Sequence, residues 1–193
     1  MRYDPERHNR QSIRLPDYDY SQPGWYYVTI VCQEHACLLD PQPVRDMIMQ
    51  WWRALPEKFG NVRIDQFVIM PNHIHGIIEI APDPTVGASP RVRPDTTSDF
   101  VQETDATARP TLGRIIQWFK TMTTNAYIRG VKDDGWEPFP RRVWQRNYYE
   151  RIIRNERELN AIRQYILDNP DQWDVDRENP SVVQRRTSQH SPR

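Results

Sequence analysis

Two short apolar runs on either side of one motif constrain this chain more than anything else in it. Phe67-Val68-Ile69-Met70 leads into Pro71-Asn72-His73-Ile74-His75-Gly76, and Ile77-Ile78-Glu79-Ile80 follows. The flanks are β-branched and apolar, so they read as two strands, Val62 to Met70 and His73 to Ile80, joined at Met70-Pro71-Asn72. Residues two apart on a strand face the same way, so His73 and His75 present two imidazoles side by side. Neutral imidazole is the commonest protein metal ligand, and such a pair can form half of a metal site. The competing reading is two polar residues on a solvated strand face. The chain has five histidines, and two of them are here.

The rest of the sequence surrounds this hairpin with helices. Trp25 to Cys32 is rich in β-formers and reads as a strand. Asp40-Pro41-Gln42-Pro43 is a helix start, with Val44, Met47, Ile48, Trp51, Trp52 and Leu55 at helical spacing behind it, and Gly60-Asn61 closes the helix. Thr111 reads as an N-cap for a long helix with Leu112, Ile115, Ile116, Phe119, Met122, Ala126 and Tyr127 on one face. Val143 to Tyr149 reads as a strand or an extended arm. Asn155 with Glu158 resembles a capping box, and the helix behind it carries Leu159, Ile162 and Ile166 before stopping at Asn169-Pro170. This order predicts an α+β fold, an antiparallel sheet with helices packed on it.

The 193 residues suit one domain, here placed at 21–175. Residues 1–20 read as a flexible lead-in and 176–193 as a disordered polar tail. The proline-rich stretch 82–110 reads as a disordered insertion, because it cannot bury enough apolar area to offset its ordering entropy. Cys32 and Cys37 lie too close in sequence for a disulfide framework, and no apolar run approaches the ~20 residues of a membrane span. The expected setting is therefore cytoplasmic, with no membrane partner.

Tyr165 and Asn169 are four apart on the last helix, beside its apolar stripe. A tyrosine oxygen can act as a nucleophile when a base or metal assists it, and an asparagine carbonyl suits a hard cation such as Mg²⁺ or Mn²⁺. Core filling and ordinary helix-end chemistry are the plain alternatives for these two. Formal net charge is zero, but arginines crowd the segment 141–163. Arg142, Arg146, Arg151 and Arg154 interleave there with Trp144, Tyr148 and Tyr149, while Arg114 and Lys120 lie on the middle helix. Arginine for phosphates and aromatics for bases is a pattern that suits single-stranded or hairpin DNA. A solvated charged surface is the alternative.

Four blocks, in order, carry a specific resemblance: Gly24 to Ile30, Val68 to Gly76, Leu112 to Lys120, and Trp144 to Glu156 running on to Tyr165-Ile166-Leu167-Asp168-Asn169-Pro170. Together they resemble the HUH single-tyrosine transposases, above all the REP-associated tyrosine transposases. The resemblance implies a ferredoxin-like or RRM-like fold and metal-dependent cleavage and rejoining of single-stranded DNA. By position, it implies His73 and His75 as metal ligands, Asn169 as a third ligand, and Tyr165 as the nucleophile forming a 5′-phosphotyrosine. Tyr148 and Tyr149 are its rivals for that role. The family includes monomers and homodimers. A non-catalytic nucleic-acid-binding module and a hydrolase using an activated water are the other readings. His73→Ala or His75→Ala is expected to remove activity and spare the fold, as changes at a surface site.

Overall fold

The computed structural model describes residues 19–82, 110–176 and 178–182. Four strands form one antiparallel sheet: β1 (Gly24–Val31), β2 (Val62–Ile69), β3 (His73–Ile80) and β4 (Tyr149–Ile153), in the order β2-β3-β1-β4. Between them run helices α1 (Gln42–Arg53), the single turn α2 (Leu55–Lys58) and α3 (Leu112–Asp133); α4 (Glu156–Asp168) follows β4. This is the α+β arrangement that the order of sequence signals predicts, with the ferredoxin-like strand order that the resemblance implies. β3 has the bounds read from the sequence. The segment read as a strand or arm is both: an arm pinned by a Cys32–Trp144 bridge, then β4 starting at Tyr149.

The sheet has a helix layer on each face, which is why β3 is buried at almost every position. On one side Tyr26, Val28, Ile30, Ile74 and Ile78 pack against α1 and α3 through Val44, Ile48, Trp52, Ile115 and Phe119. On the other, Ile77 and Ile153 meet Leu159, Ile162 and Ile166 of α4, with Trp25, Tyr27 and Val68 at the margin. Asn155 caps α4 by accepting from the Glu158 amide at 2.9 Å. The Glu158 carboxylate reaches back to the amide of Arg154, one residue earlier than a capping box requires. Arg163 holds α4 down through a hydrogen-bonded ion pair with Asp65 on β2.

Gly76 marks where sheet and helix approach most closely. A Cβ there would lie 2.4 Å from the Trp52 ring and 3.1 Å from Phe67, two rings already stacked at 4.3 Å between centroids. Neither ring has room to move, so Gly76→Ala should destabilise the fold by about 1–3 kcal/mol, read as a lower urea midpoint. An unchanged midpoint would show that the packing relaxes freely.

Two sequence boundaries shift. Tyr20, assigned to the lead-in, is buried in the core, and its carbonyl accepts from the Leu112 amide. Burying a phenol ring supplies the apolar contact that a charged, proline-punctuated stretch otherwise lacks. Asp176 and 178–182, assigned to the tail, are described and pack on the domain. The Glu178 carbonyl accepts from the Asn72 side chain at 2.6 Å, which ties this polar segment down without an apolar anchor. Residues 1–18, 83–109, 177 and 183–193, with most of the expected insertion and tail, lie outside the described residues.

Candidate active site

The histidine pair lies on the α4 side of the sheet. β1 runs beside β3 with Thr29 opposite His75 and Tyr27 opposite Ile77, so the strand period brings Tyr27, Thr29, His73 and His75 to one face. Both imidazoles are buried, at 0% and 4% exposure, rather than on the solvated face that a bare His-x-His allows. Their Nε2 atoms face each other at 3.0 Å. Burial, reinforced for His73 by the His35 charge and for His75 by the His73 charge, lowers the two rings to about 4 and about 3. The Asp176 charge opposes the shift of His73 without reversing it. Both rings are therefore neutral at neutral pH.

The other nitrogen of each ring is held by a neighbour. The Asn72 amide donates to the carbonyls of His35 (3.0 Å) and Glu178 (2.6 Å). Its Oδ1 must then be the atom that faces His73 Nδ1, at 2.8 Å, so that nitrogen carries the proton. His75 Nδ1 lies 2.7 Å from the Tyr27 hydroxyl and 2.8 Å from that of Thr29. Burial holds the Tyr27 phenol well above its ordinary value, so it keeps its proton.

α4 and the 3₁₀ turn after it (Pro170–Val175) close the site. Tyr27, Thr29, His75, Tyr149, Tyr165, Asn169 and Asp176 line one pocket of about 310 Å³. The Tyr165 ring stands edge-on to His75, with centroids 5.6 Å apart, and to Tyr27 at 6.2 Å. It is 45% exposed, unusual for a ring beside an apolar stripe and suited to a group that meets a large substrate. Asn169 is buried, and its Oδ1 has no hydrogen-bond partner. A buried orphan acceptor costs about 1–3 kcal/mol and calls for an explanation. His73, His75 and Asp176 offer ligand atoms within 4.8 Å of one another, with Asp176 Oδ2 3.8 Å from His73 Nε2. Neutral imidazoles, a carboxylate and an unpartnered amide oxygen fit a divalent cation with mixed nitrogen and oxygen ligands.

The sequence reading missed Tyr27, Thr29, Asn72 and Asp176. The period of β1 puts Tyr27 and Thr29 on one face, but only the β1–β3 pairing shows which face. Asn72 reads as a turn residue, and Asp176 sits in a polar run with no pattern of its own.

The arginine-rich block divides. Arg141, Arg142, Arg146, Lys120 and Tyr148 line a separate cleft of about 560 Å³ between α3 and the arm 141–148. Larger than the histidine pocket, it holds no comparable cluster of ligands among the described residues. Trp144 is 4% exposed and donates its indole N–H to Thr123 at 2.8 Å, so it is a core residue and offers no face to a base. Lys120 donates to the carbonyls of Gln145 and Asn147, both at 2.9 Å, and burial lowers it to about 8. It braces the arm instead of standing free for a phosphate. Arg114, Arg142, Arg146 and Arg154 are exposed; Arg151 is exposed too, but pairs with Glu158 at 2.5 Å. Tyr149, from the same block, opens into the histidine pocket.

No protein-family model matches the chain. Among solved structures, a REP-associated tyrosine transposase bound to a REP hairpin aligns with a TM-score of 0.53 and 16% identity, covering 82% of this chain and 73% of that one. At that identity, the likeness establishes a shared fold. An uncharacterised protein of Haemophilus influenzae is 36% identical over 183 residues, which cover 91% of this chain and 96% of its own. At that identity over nearly the full length of both, this chain belongs to the same protein family as the Haemophilus influenzae protein.

Proposed function

We propose that this chain cleaves and rejoins single-stranded DNA through a covalent 5′-phosphotyrosine on Tyr165, as a transposase or related strand transferase of the HUH single-tyrosine class. The observation that carries this reading is a facing pair of buried imidazoles, of which His75 lines one pocket with an orphan amide oxygen and an exposed phenol. A shared fold with a REP-associated tyrosine transposase supports it. His73 and His75, with Asn169 and Asp176, would hold Mg²⁺ or Mn²⁺. Such a cation, when bound, offsets charge on the phosphate oxygens. Tyr165 Oη forms the new bond to phosphorus and gives up its proton. The bond from phosphorus to the 3′ oxygen breaks, and that oxygen takes up a proton. The phosphotyrosine conserves the bond energy, so attack by another 3′ hydroxyl rejoins DNA without a nucleotide cofactor.

Single-stranded or hairpin DNA is the proposed substrate, with Arg142, Arg146, Arg154 and Tyr148 contacting the strand outside the pocket. Incubating the protein with labelled single-stranded DNA from its own genomic flanks and Mn²⁺ tests the reading. A denaturation-resistant adduct of protein and DNA is expected. Binding without an adduct would favour a non-catalytic module. Cleavage that leaves no adduct, and that survives Tyr165→Phe, would favour hydrolysis by an activated water.

A further inference from the structure

The hydrogen bonds around the two histidines determine where their protons sit. Asn72 fixes a proton on His73 Nδ1, so the neutral ring has a lone pair at Nε2. That lone pair faces His75 Nε2 at 3.0 Å, so His75 must donate there. A neutral ring that donates from Nε2 accepts at Nδ1. Tyr27, at 2.7 Å, is the closer of two hydroxyls able to donate to it. Thr29 also lies within reach of the Tyr27 oxygen, at 3.2 Å.

This arrangement cannot survive ligation by both Nε2 atoms. His75 would have to carry its proton on Nδ1 and donate to a hydroxyl oxygen, and both neighbours are hydroxyls that can accept. The Tyr27 O–H would then be released from His75. The nearest other ring at this end of Tyr27 is Tyr165, edge-on at 6.2 Å and lining the same pocket.

We propose that Tyr27 is a positioning residue coupling the histidine pair to Tyr165. Its hydroxyl donates to His75 Nδ1 while the pair is unligated and turns to the Tyr165 oxygen once His75 carries its proton on Nδ1. The coupling rests on the function proposed above for its consequence in catalysis, but not for its existence. Ligation of the histidines would thereby supply a donor to the nucleophile's oxygen as negative charge gathers there. Thr29 keeps His75 oriented in both states and so separates orientation from coupling.

The test uses the full chain, with ¹⁵N-labelled histidine and ring-labelled ¹³C tyrosine, and Zn²⁺ as a diamagnetic probe. Without Zn²⁺, His75 should show a bare Nδ1 and His73 a protonated one; with Zn²⁺, both should be protonated at Nδ1. The Tyr165 carbon that bears the hydroxyl should shift on Zn²⁺ addition in the wild type and lose that response in Tyr27→Phe. A His75 already protonated at Nδ1 without Zn²⁺, or a Tyr165 response undiminished in Tyr27→Phe, would overturn the proposal. With DNA and Mn²⁺, Tyr27→Phe should slow adduct formation about tenfold, the effect of one hydrogen bond to a developing charge, at unchanged DNA affinity. If the wild type forms no adduct, the functional reading fails, while the two resonance measurements still decide the coupling.

Discussion

Tyr165→Phe should bind single-stranded DNA as the wild type does and form no covalent adduct. The substitution deletes one oxygen and keeps the ring, so the edge-on contacts with His75 and Tyr27 persist. The side chain is 45% exposed and the polar neighbour of its hydroxyl is the Tyr27 phenol at the pocket, so stability should change by no more than about 1 kcal/mol. Removing a covalent nucleophile costs on the order of 10³-fold or more in rate, which puts the adduct below detection on a denaturing gel. Tyr149→Phe is the necessary control. Tyr149 is also about half exposed and lines the same pocket, so sequence distance from Tyr165 does not separate the two. Tyr148 is the weaker rival, because its ring lies under the Lys120 ammonium at 5.6 Å in the other cleft. An adduct that survives Tyr165→Phe but not Tyr149→Phe would move the nucleophile to β4.

What the sequence revealed depended on whether a role is written in local periodicity. His73 and His75 sit two apart in a strand with apolar flanks, and their shared face follows from strand geometry alone. Tyr165 and Asn169 sit one helical turn apart, and their common orientation follows from α4 being amphipathic. Joining the two pairs required knowing that α4 crosses the sheet on the histidine side, and only the resemblance to a family implied that. Tyr27 and Thr29 stayed hidden because the partner of β1 is a matter of topology. Asp176 stayed hidden because hydrogen bonds from Asn72 and the short turn after α4, not hydrophobic burial, hold its segment in place. Trp144 and Lys120 show the converse error. Composition placed them with the nucleic-acid contacts, but the arm folds back on α3 and buries the indole, and the lysine serves carbonyls the arm leaves unpaired. Residue type alone cannot distinguish an arginine-rich surface from the hydrogen bonds that support it.

His73→Ala and His75→Ala should each remove divalent-cation binding and DNA cleavage together, but at a cost in stability that a surface pair would not incur. Loss of one of few ligands should weaken Mn²⁺ binding by about 100-fold or more, measured by calorimetry or by the electron-spin signal of free Mn²⁺. The expectation that these changes spare the fold does not hold for rings at 0% and 4% exposure. His73→Ala leaves a cavity and strands the Asn72 Oδ1 that the ring had satisfied at 2.8 Å, so it should lower stability by about 2–4 kcal/mol. His75→Ala leaves two hydroxyls that can pair with each other, Thr29 and Tyr27, and should cost less. Comparing Asp176→Asn with Asn169→Ala then separates the remaining candidate ligands. Asp176→Asn keeps the shape and removes the charge nearest His73, so a loss of Mn²⁺ affinity there would count Asp176 among the ligands. Asn169→Ala removes a buried acceptor that has no partner, so without Mn²⁺ it should leave stability unchanged or raise it. If Asn169→Ala destabilises the metal-free protein and leaves Mn²⁺ affinity intact, Asn169 is helix-end structure and the cation is held by the histidines and Asp176.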